Sequence, residues 1–384
     1  MLIKLSARGL RPLSEVSPSS FVGRICEQPE HPSTERATEI LLVKEPLAML
    51  PDGFRGYLLH HEMRDAGRRD SYVLAPELTY LAHGDVVRVE PTRRGLTTLY
   101  RRTSNSNSFL LTERCDNFCV MCSQPPRPDD DLWRVHEWMK VIPLISPDTT
   151  EIVFSGGEPA LLGDHLVQLL DTMKRVLPRT ALHVPSNGRR FSDAAFARSL
   201  AEVHHPDLMI GIPLYSDLAE EHDYVVQANG AYDETVRGIL NLKRRGVRVE
   251  LRFVIHRDTY ARLAAFAEFV TRNLLFVDHV ALMGLEMTGF AKTNLDALWI
   301  DPIEYQPQLV EAAWILHRAG LNVSVYNHQL CVLSSELHQF ARKSISDWKN
   351  LYFDECAACR LKDDCGGFFA SSTVRRSSGI AAIS

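Results

Sequence analysis

The pattern with the clearest chemical meaning in this 384-residue chain is a short run of three cysteines. Cys115, Cys119 and Cys122 stand in a C-x3-C-x2-C arrangement, and Gly156-Gly157-Glu158-Pro159 begins 34 residues after Cys122. Thiolates are soft ligands, and three of them can hold three irons of a four-iron cluster while the fourth iron stays open. The two glycines provide positions without side chains, where a backbone could approach a bound small molecule. The pattern predicts a reactive cluster with a neighbouring ligand site.

Zinc is the alternative metal for these three cysteines. A structural zinc site is closed by four ligands, and the nearest candidate for a fourth is His136, inside the helical pattern that follows. A missing fourth ligand is a defect for zinc and an advantage for a cluster whose open iron binds a cofactor. The spacing therefore favours iron and sulfur.

A second group of cysteines could close a metal site with no outside ligand. Cys331, Cys356, Cys359 and Cys365 are four thiols, enough for either a four-iron cluster or a structural zinc. A fully ligated cluster has no open iron, so its expected roles are electron relay or anchoring of the C-terminal segment. The remaining cysteine, Cys26, is interpreted as a small buried hydrophobic residue.

The composition is that of an ordinary globular protein, with 45% hydrophobic and 24% charged residues. A formal net charge of -5 argues against a nucleic-acid-binding role, which usually requires a basic face. No apolar run approaches the roughly 18 residues that span a bilayer, and the N-terminus lacks the apolar region of a signal peptide. We expect a cytoplasmic protein without a membrane partner, in which clustered cysteines indicate metal rather than disulfides.

The middle of the chain alternates between strand and helix patterns. The predicted strands are Phe109–Thr112, Glu151–Phe154, Leu182–Pro185, Leu208–Pro213, Val247–Ile255 and Val277–Leu285. Helical periodicity follows most of them, the last helix being predicted to end at Gly320. Six such repeats predict an α/β fold with a parallel sheet, arranged as an open (β/α)6 partial barrel. Both motifs lie just after the first two strands, at the end of a parallel barrel where chemistry collects.

Four regions are predicted along the chain. Residues 1–105 read as a β-rich N-terminal domain, including a hairpin over residues 85–100, and residues 106–320 form the α/β core. Residues 321–370 add one more strand and the second cysteine group as a cluster-binding extension. Residues 371–384 are small and polar, which predicts a flexible tail.

The cysteine run and the Gly-Gly-Glu-Pro segment together resemble the radical S-adenosylmethionine (radical SAM) superfamily. The resemblance implies a [4Fe-4S] cluster on Cys115, Cys119 and Cys122, whose open iron chelates the methionine amino and carboxylate groups of S-adenosyl-L-methionine. Reductive cleavage then yields a 5′-deoxyadenosyl radical, which abstracts hydrogen from a substrate. The implied activity is that of a radical SAM enzyme, with an oxidoreductase-like reaction.

The resemblance also implies which residues contact S-adenosylmethionine. Gly156-Gly157-Glu158-Pro159 matches the motif that meets the methionine amino group, and Ser186-Asn187-Gly188 matches the ribose-side segment. Arg252, in the fifth predicted strand, is a candidate for the methionine carboxylate or the ribose. Met121 stands where the family usually has an aromatic residue, and its flexible thioether can pack against adenine.

The C-terminal cysteines resemble the auxiliary-cluster regions of SPASM and twitch domains in peptide-modifying radical SAM enzymes. The C-x2-C-x5-C core with Cys331 gives one set of four ligands, so a shortened, twitch-like extension with one auxiliary [4Fe-4S] cluster is implied. Zinc remains the alternative for this site.

Three segments resemble the maturases of the His-Xaa-Ser peptide system: residues 112–119, 122–126 and 344–349. This resemblance implies a ribosomally made precursor peptide as substrate, a second radical SAM maturase as partner, and an electron donor such as flavodoxin or ferredoxin. Two alternatives stay open. One is a radical SAM enzyme acting on a small molecule or a tRNA nucleobase, and the other is a non-catalytic, zinc-stabilised scaffold.

Overall fold

A computed structural model describes residues 3–63, 68–346 and 349–384, and the chain divides into two compact units. The first unit comprises the residues up to 109, 133–152 and 172–180, and the second comprises 110–132, 153–171 and 181–384. Positions 347–348 of the segment used for the peptide-maturase resemblance lie outside the described residues.

The first unit is built on an eight-stranded sheet. Its strands are β1 (Ser6–Arg8), β2 (Arg11–Pro12), β3 (Phe21–Cys26), β4 (Glu39–Val43), β5 (Gly56–Leu59), β6 (Ser71–Val73), β7 (Val86–Glu90) and β8 (Gly95–Tyr100). The order across the sheet is β1-β8-β7-β3-β4-β5-β6-β2. β1 and β2 lie at opposite ends of this order, yet only two residues separate them in the chain. One stretch of chain therefore pairs with both β8 and β6, which closes the sheet into a barrel.

The barrel agrees with the β-rich N-terminal region that the sequence predicts, and β7 and β8 form the expected antiparallel hairpin. Less expected is that β3, β4, β5 and β6 pair in parallel. Alternate residues of these strands fill two apolar clusters, one containing Ile25 and Ile40 and the other containing Cys26 and Leu41. Helix α1 (Trp133–Val141) also belongs to this unit.

The second unit carries a seven-stranded sheet in consecutive order. Its strands are β9 (Asn107–Thr112), β10 (Glu151–Gly156), β11 (Ala181–Pro185), β12 (Leu208–Pro213), β13 (Arg248–Ile255), β14 (His279–Gly284) and β15 (Val323–Tyr326), the first residues of β9 and β10 falling in the first unit. The pairs from β11 to β15 are parallel. The prediction of an α/β fold with a parallel core is confirmed, and β15 is the additional strand expected after Gly320. The order from β9 to β15 leaves the sheet open.

The helices of this part are α2 (Asp164–Val176), α3 (Ala194–Ala201), α4 (Ala219–Val226), α5 (Ala231–Lys243), α6 (Leu263–Asn273), α7 (Gly289–Thr293), α8 (Leu295–Leu298) and α9 (Gln306–Arg318). The longer helices lie between the strands, as the helical periodicity of the sequence predicts. The short helices α4, α7 and α8 were not predicted, because each is short and shows little periodicity. Among the described residues, no helix has both the length and the apolar character needed to cross a membrane.

The chain ends with a small two-stranded sheet of β16 (Asn350–Leu351) and β17 (Phe368–Phe369). Residues 371–384, for which the sequence predicts a flexible tail, make specific contacts. Both Ser377 and Ser378 donate hydroxyl hydrogen bonds to the Asp301 carboxylate, and Ser377 is buried. The amide of Ile383 donates to Cys359 Sγ over 3.4 Å, so the tail reaches the second cysteine group.

Candidate cofactor site

The cysteine loop lies at the carboxyl end of β9 and packs directly on the Gly-Gly-Glu-Pro turn. Gly157 N donates to Thr112 O over 2.8 Å, and Glu158 N donates to Arg114 O over 2.7 Å. A Cβ atom on Gly156 would stand 2.4 Å from Thr112 O, and one on Gly157 would stand 2.3 Å from Arg114 O. The two glycines are therefore required first by the chain's own backbone, whereas the sequence suggested the approach of a ligand. Both glycines also face the neighbouring pocket.

The other side of the cysteine loop is fixed to two helices. Phe118 N donates to Val226 O and Val120 N donates to Val225 O, each over 3.0 Å, at the end of α4. Phe290 N, in α7, donates to Cys122 O over 2.8 Å. These backbone hydrogen bonds fix the segment that carries the three cysteines, although this segment has no regular secondary structure.

A cavity of about 350 Å³ opens beside the cysteine loop at the carboxyl ends of the strands. This volume lies within the range of small-molecule sites in proteins. Its wall includes all three cysteines of the loop, each partly buried. The other predicted site residues on this wall are Met121, Gly156, Gly157, Ser186, Asn187 and Arg252. The structure thus brings together residues that are far apart in the chain.

Glu158, Pro159 and Gly188 do not belong to the wall of this pocket as the described residues form it. Glu158 is fully buried, and its carboxylate accepts hydrogen bonds from Ala160 N (2.8 Å), Ser186 Oγ (2.7 Å) and Asn187 N (2.5 Å). Burial raises the pKa of Glu158 to about 7, and the three donors oppose that rise. The carboxylate ties the β10 turn to the β11 turn.

The segment after β11 is bound in turn to the cysteine loop. Asn187 Nδ2 donates to Asp116 Oδ1 over 2.6 Å. Arg189 Nη1 donates to Asp116 O and to Asn117 Oδ1, each over 2.8 Å, while its Nε donates to Glu234 Oε2 over 2.6 Å. Arg189 was missed by sequence reasoning, although it directly follows the recognised Ser-Asn-Gly segment. The two loops are therefore held as one polar assembly.

Arg252 projects from β13 to the wall of the cavity, and its Nη2 lies 3.4 Å from Met283 Sδ. Its Nε is 3.6 Å from Glu250 Oε1, in a cluster where His183 Nε2 and His279 Nδ1 lie 3.3 and 2.7 Å from the Glu250 carboxylate. Although burial opposes it, hydrogen bonding to both histidines lowers the pKa of Glu250 well below its usual value. The ionised Glu250 carboxylate therefore lies beside the Arg252 guanidinium at the site.

Two polar residues on the wall were not found from the sequence, because neither belongs to a recognisable motif. Burial raises the pKa of Glu286, just beyond β14. Asn327, just beyond β15, has a left-handed backbone with φ 61° and accepts a hydrogen bond from Ser344 Oγ over 2.5 Å. Their only sequence signal was their position after a strand.

Without a cation nearby, the three thiols of the cysteine loop do not readily lose their protons. Burial raises the pKa of Cys115 to about 12, and burial also raises the pKa values of Cys119 and Cys122. A cluster iron would compensate the thiolate charge that burial disfavours. Three partly buried sulfurs on one cavity wall fit a cluster with an open iron, and the cavity leaves space for its ligand.

The four C-terminal cysteines, Cys331, Cys356, Cys359 and Cys365, are each partly buried. Burial raises the pKa of Cys331, and repulsion from Cys365 and Cys356 adds to the rise, so these side chains are near neighbours. Sulfurs around a tetrahedral zinc lie about 3.8 Å apart. As the described residues are placed, neither cysteine set has three sulfurs within 4.8 Å of one another.

We compared the chain with models of known families and with solved structures. Residues 109–270, less than half of the chain, match the family model described as the Radical SAM superfamily. A tagged form of anSMEcpe with bound AdoMet aligns with a TM-score of 0.50 at 13% identity, covering 72% of this chain and 88% of that one. The matched segment is thus similar to this superfamily, whose members use a [4Fe-4S] cluster and S-adenosylmethionine.

The curated relatives match only part of this chain. Fe-coproporphyrin III synthase of Methanosarcina barkeri is 26% identical over 42% of this chain and 39% of its own length. GTP 3',8-cyclase 2 of Mycobacterium tuberculosis is 32% identical over 26% of this chain and 29% of its own length. The chain thus spans well under half the length of each of these relatives.

Proposed function

We propose that the protein is a radical SAM enzyme that modifies a ribosomally made peptide of the His-Xaa-Ser repeat type by hydrogen abstraction. The observation that carries the proposal is the half-buried Cys115, Cys119 and Cys122 set on the wall of a 350 Å³ cavity at the strand ends. When bound, the cluster supplies reductive cleavage of S-adenosylmethionine to a 5′-deoxyadenosyl radical.

The protein's own residues have positioning roles in this proposal. Asn187 and Arg252 offer polar groups on the cavity wall for the ribose and the methionine carboxylate, and Met121 offers a thioether for the adenine. Tyr215 is buried on the same wall and adds an aromatic ring to the lining. Exclusion of water protects a radical from side reactions.

The C-terminal extension supports a large substrate, because it adjoins the mouth of the cavity. Asn327 on the cavity wall is bound to Ser344 of the extension. Gln329 Nε2 donates to Gly367 O over 2.9 Å, and Gly367 N donates to Cys365 Sγ over 3.5 Å. Only a few residues therefore separate the cavity from the second cysteine set. An auxiliary [4Fe-4S] cluster there would lie where it can relay electrons to or from a bound peptide.

As described, no three of the C-terminal sulfurs lie within 4.8 Å of one another, which favours the auxiliary cluster over zinc. A four-iron cluster is larger than a single ion, so its cysteines need not approach one another as closely as they do around zinc. A second radical SAM maturase and an electron donor such as flavodoxin or ferredoxin belong to the same proposal, since the cluster needs a reductant.

A small-molecule substrate is the second candidate. The curated relatives are named as a synthase of Fe-coproporphyrin III and a cyclase of GTP, and both names describe small-molecule reactions.

The radical activity is tested by changing one cysteine in each set. Anaerobically purified protein is expected to hold about eight irons and to release 5′-deoxyadenosine with dithionite and S-adenosylmethionine. Cys119→Ala should abolish that release. Cys359→Ala is the matched control, expected to lose about half of the iron while still cleaving the cofactor. Undiminished 5′-deoxyadenosine formation by Cys119→Ala would falsify the assignment.

The peptide is tested separately by mass spectrometry. A precursor with His-Xaa-Ser repeats, encoded near this protein's gene, is incubated with the reduced enzyme and S-adenosylmethionine. A mass change in the peptide that Cys119→Ala does not produce supports the proposal. An unchanged peptide in the presence of active cofactor cleavage would return the small-molecule candidate to first place.

A further inference from the structure

A group of potential metal ligands lies in the first unit, remote in sequence from both cysteine sets. The ligand atoms of Cys26, His31 and Glu39 all lie within 4.8 Å of one another. Cys26 ends β3 and Glu39 begins β4, so the parallel pairing of these strands brings the two together. His31 belongs to the loop that connects them. Cys26 and Glu39 are fully buried, and His31 is partly buried.

Two of the three facing atoms lack hydrogen bonds, whereas Cys26 Sγ donates to Gln28 O at 3.5 Å and accepts from Gln28 N at 3.4 Å. His31 Nδ1 and Glu39 Oε2 are 3.0 Å apart, yet both are buried without a hydrogen-bond partner, because the angles between them do not suit one. The other carboxylate oxygen, Glu39 Oε1, accepts from Arg24 Nη2 and Nε over 2.6 and 3.1 Å. One carboxylate oxygen is therefore satisfied, and the second faces the His31 imidazole and the Cys26 thiol.

The surroundings resemble those of a bound metal's ligands. In metal sites, a ligating histidine commonly directs its second ring nitrogen towards a carboxylate, and a ligating carboxylate is itself hydrogen-bonded. Here His31 Nε2 lies 3.8 Å from Glu35 Oε2, and Arg24 holds the outer oxygen of Glu39. The Arg24 bond orients the Glu39 carboxylate, whereas the 3.8 Å contact of His31 with Glu35 is longer than a hydrogen bond.

We propose that Cys26 Sγ, His31 Nδ1 and Glu39 Oε2 bind a zinc ion. One sulfur, one nitrogen and one oxygen form a donor set that zinc accepts, with bonds of about 2.0 to 2.3 Å. Such bonds in a tetrahedron separate the ligand atoms by about 3.3 to 3.7 Å, a spacing that small side-chain rotations provide. The thiolate and carboxylate together balance the charge of the dication.

The fourth coordination position is open to water. A cavity of about 320 Å³ adjoins the group and is lined in part by His31, Gln28 and His83. Water in this cavity can complete the tetrahedron, as in zinc sites with three protein ligands. The ion would join the end of β3 to the start of β4 and fix the connecting loop of this parallel crossover.

The competing interpretation is an ion-pair cluster in which a protonated His31 neutralises Glu39. That arrangement would orient the imidazole N–H towards the carboxylate, and the observed pair lacks that geometry. The two interpretations differ in a measurable quantity, the zinc content of the full-length protein.

The experiment uses the full chain with its iron–sulfur clusters assembled, equilibrated with zinc chloride and then desalted. Elemental analysis is expected to find one zinc per chain, and zinc-edge X-ray absorption is expected to show one sulfur with two or three nitrogen or oxygen neighbours. His31→Asn and Glu39→Gln should each lose that zinc while the iron content stays unchanged. His60→Asn, a partly buried histidine of the same unit, is the matched control and should retain it.

Three outcomes overturn the proposal: no tightly held zinc, zinc with four sulfur neighbours, or zinc that survives both His31→Asn and Glu39→Gln. Since His31 is at the rim of the group, its variant is expected to fold, and unchanged circular dichroism confirms this. The inference is independent of the radical chemistry, because 5′-deoxyadenosine release plays no part in its readout.

Discussion

At the scale of single residues, the polar contacts of the candidate site act mostly between loops. The Asn187 side chain donates to Asp116 through Nδ2 and accepts from Arg189 N through Oδ1 over 3.0 Å. Glu158 accepts three hydrogen bonds and lies behind the cavity wall. Part of the motif that the resemblance assigns to cofactor contact therefore holds the surrounding loops in place.

The Asn187–Asp116 contact gives a charge-specific prediction. Asn187→Asp retains the acceptor for Arg189 N but places a carboxylate 2.6 Å from Asp116 Oδ1, where like charges repel. We expect S-adenosylmethionine affinity to fall about tenfold further in Asn187→Asp than in Asn187→Ala, which only removes the bond. Isothermal titration on anaerobic protein measures this difference. Equal affinities in the two variants would show that the Asp116 contact does not shape the site.

At the scale of elements, the turn after β11 packs closely against helix α5. A Cβ atom on Gly238 would stand 2.1 Å from Gly188 O, and the helix must therefore carry glycine at this position. The same turn carries Ser186 and Asn187 to the cavity. The packing of one helix thus sets the position of one wall of the site.

Gly238→Ala tests this coupling between helix and site. The methyl group must push the Gly188 turn away, and overpacking of this kind costs about 1 to 3 kcal/mol of unfolding free energy. Denaturant unfolding should show that loss, accompanied by weaker S-adenosylmethionine binding. Gly366→Ala is the matched control, because its nearest neighbour would be 3.6 Å from the new Cβ. A Gly238→Ala protein as stable as wild type would contradict the close packing.

In the first unit, strand pairing determines whether a peptide could add to the edge of the sheet. A sheet with free edges could capture a peptide by strand addition. Residues 6–13 instead bond to both end strands, with Leu10 N donating to Arg94 O over 3.0 Å and Leu13 N donating to Ser71 O over 2.8 Å. The barrel is closed across this join, which argues against that mode of peptide binding here.

At the scale of the whole molecule, three buried histidines link folding to pH. Burial lowers the pKa of His222, His256 and His328 to about 4, against 6.5 for an exposed histidine. Between these values the unfolded chain binds protons that the folded chain cannot, so stability present above pH 6.5 is lost as the pH falls. Each histidine contributes a loss of up to about 2 kcal/mol by about pH 5.

Unfolding midpoints at about pH 7.5 and about pH 5, followed by tryptophan fluorescence, should therefore differ strongly. His256→Gln removes one of the three groups and should make the pH dependence shallower, whatever its effect on stability at neutral pH. His61→Gln changes an exposed histidine and should leave the dependence as in wild type. If the unfolding midpoint of His256→Gln depended on pH as in wild type, burial of His256 would not explain the pH dependence.

The sequence by itself determined the α/β fold class and predicted the cysteine set of the candidate site. The spacing of Cys115, Cys119 and Cys122 predicts their shared role, and apolar periodicity predicts the long helices. Both patterns can be recognised in the sequence because they are local in the chain. Only the tertiary structure decided which motif residues face the cavity, that Arg189 fastens the cysteine loop, and that Cys26 meets His31 and Glu39. Those contacts join residues that are distant in the chain, and no local pattern records which strands will pair or how closely two loops will pack.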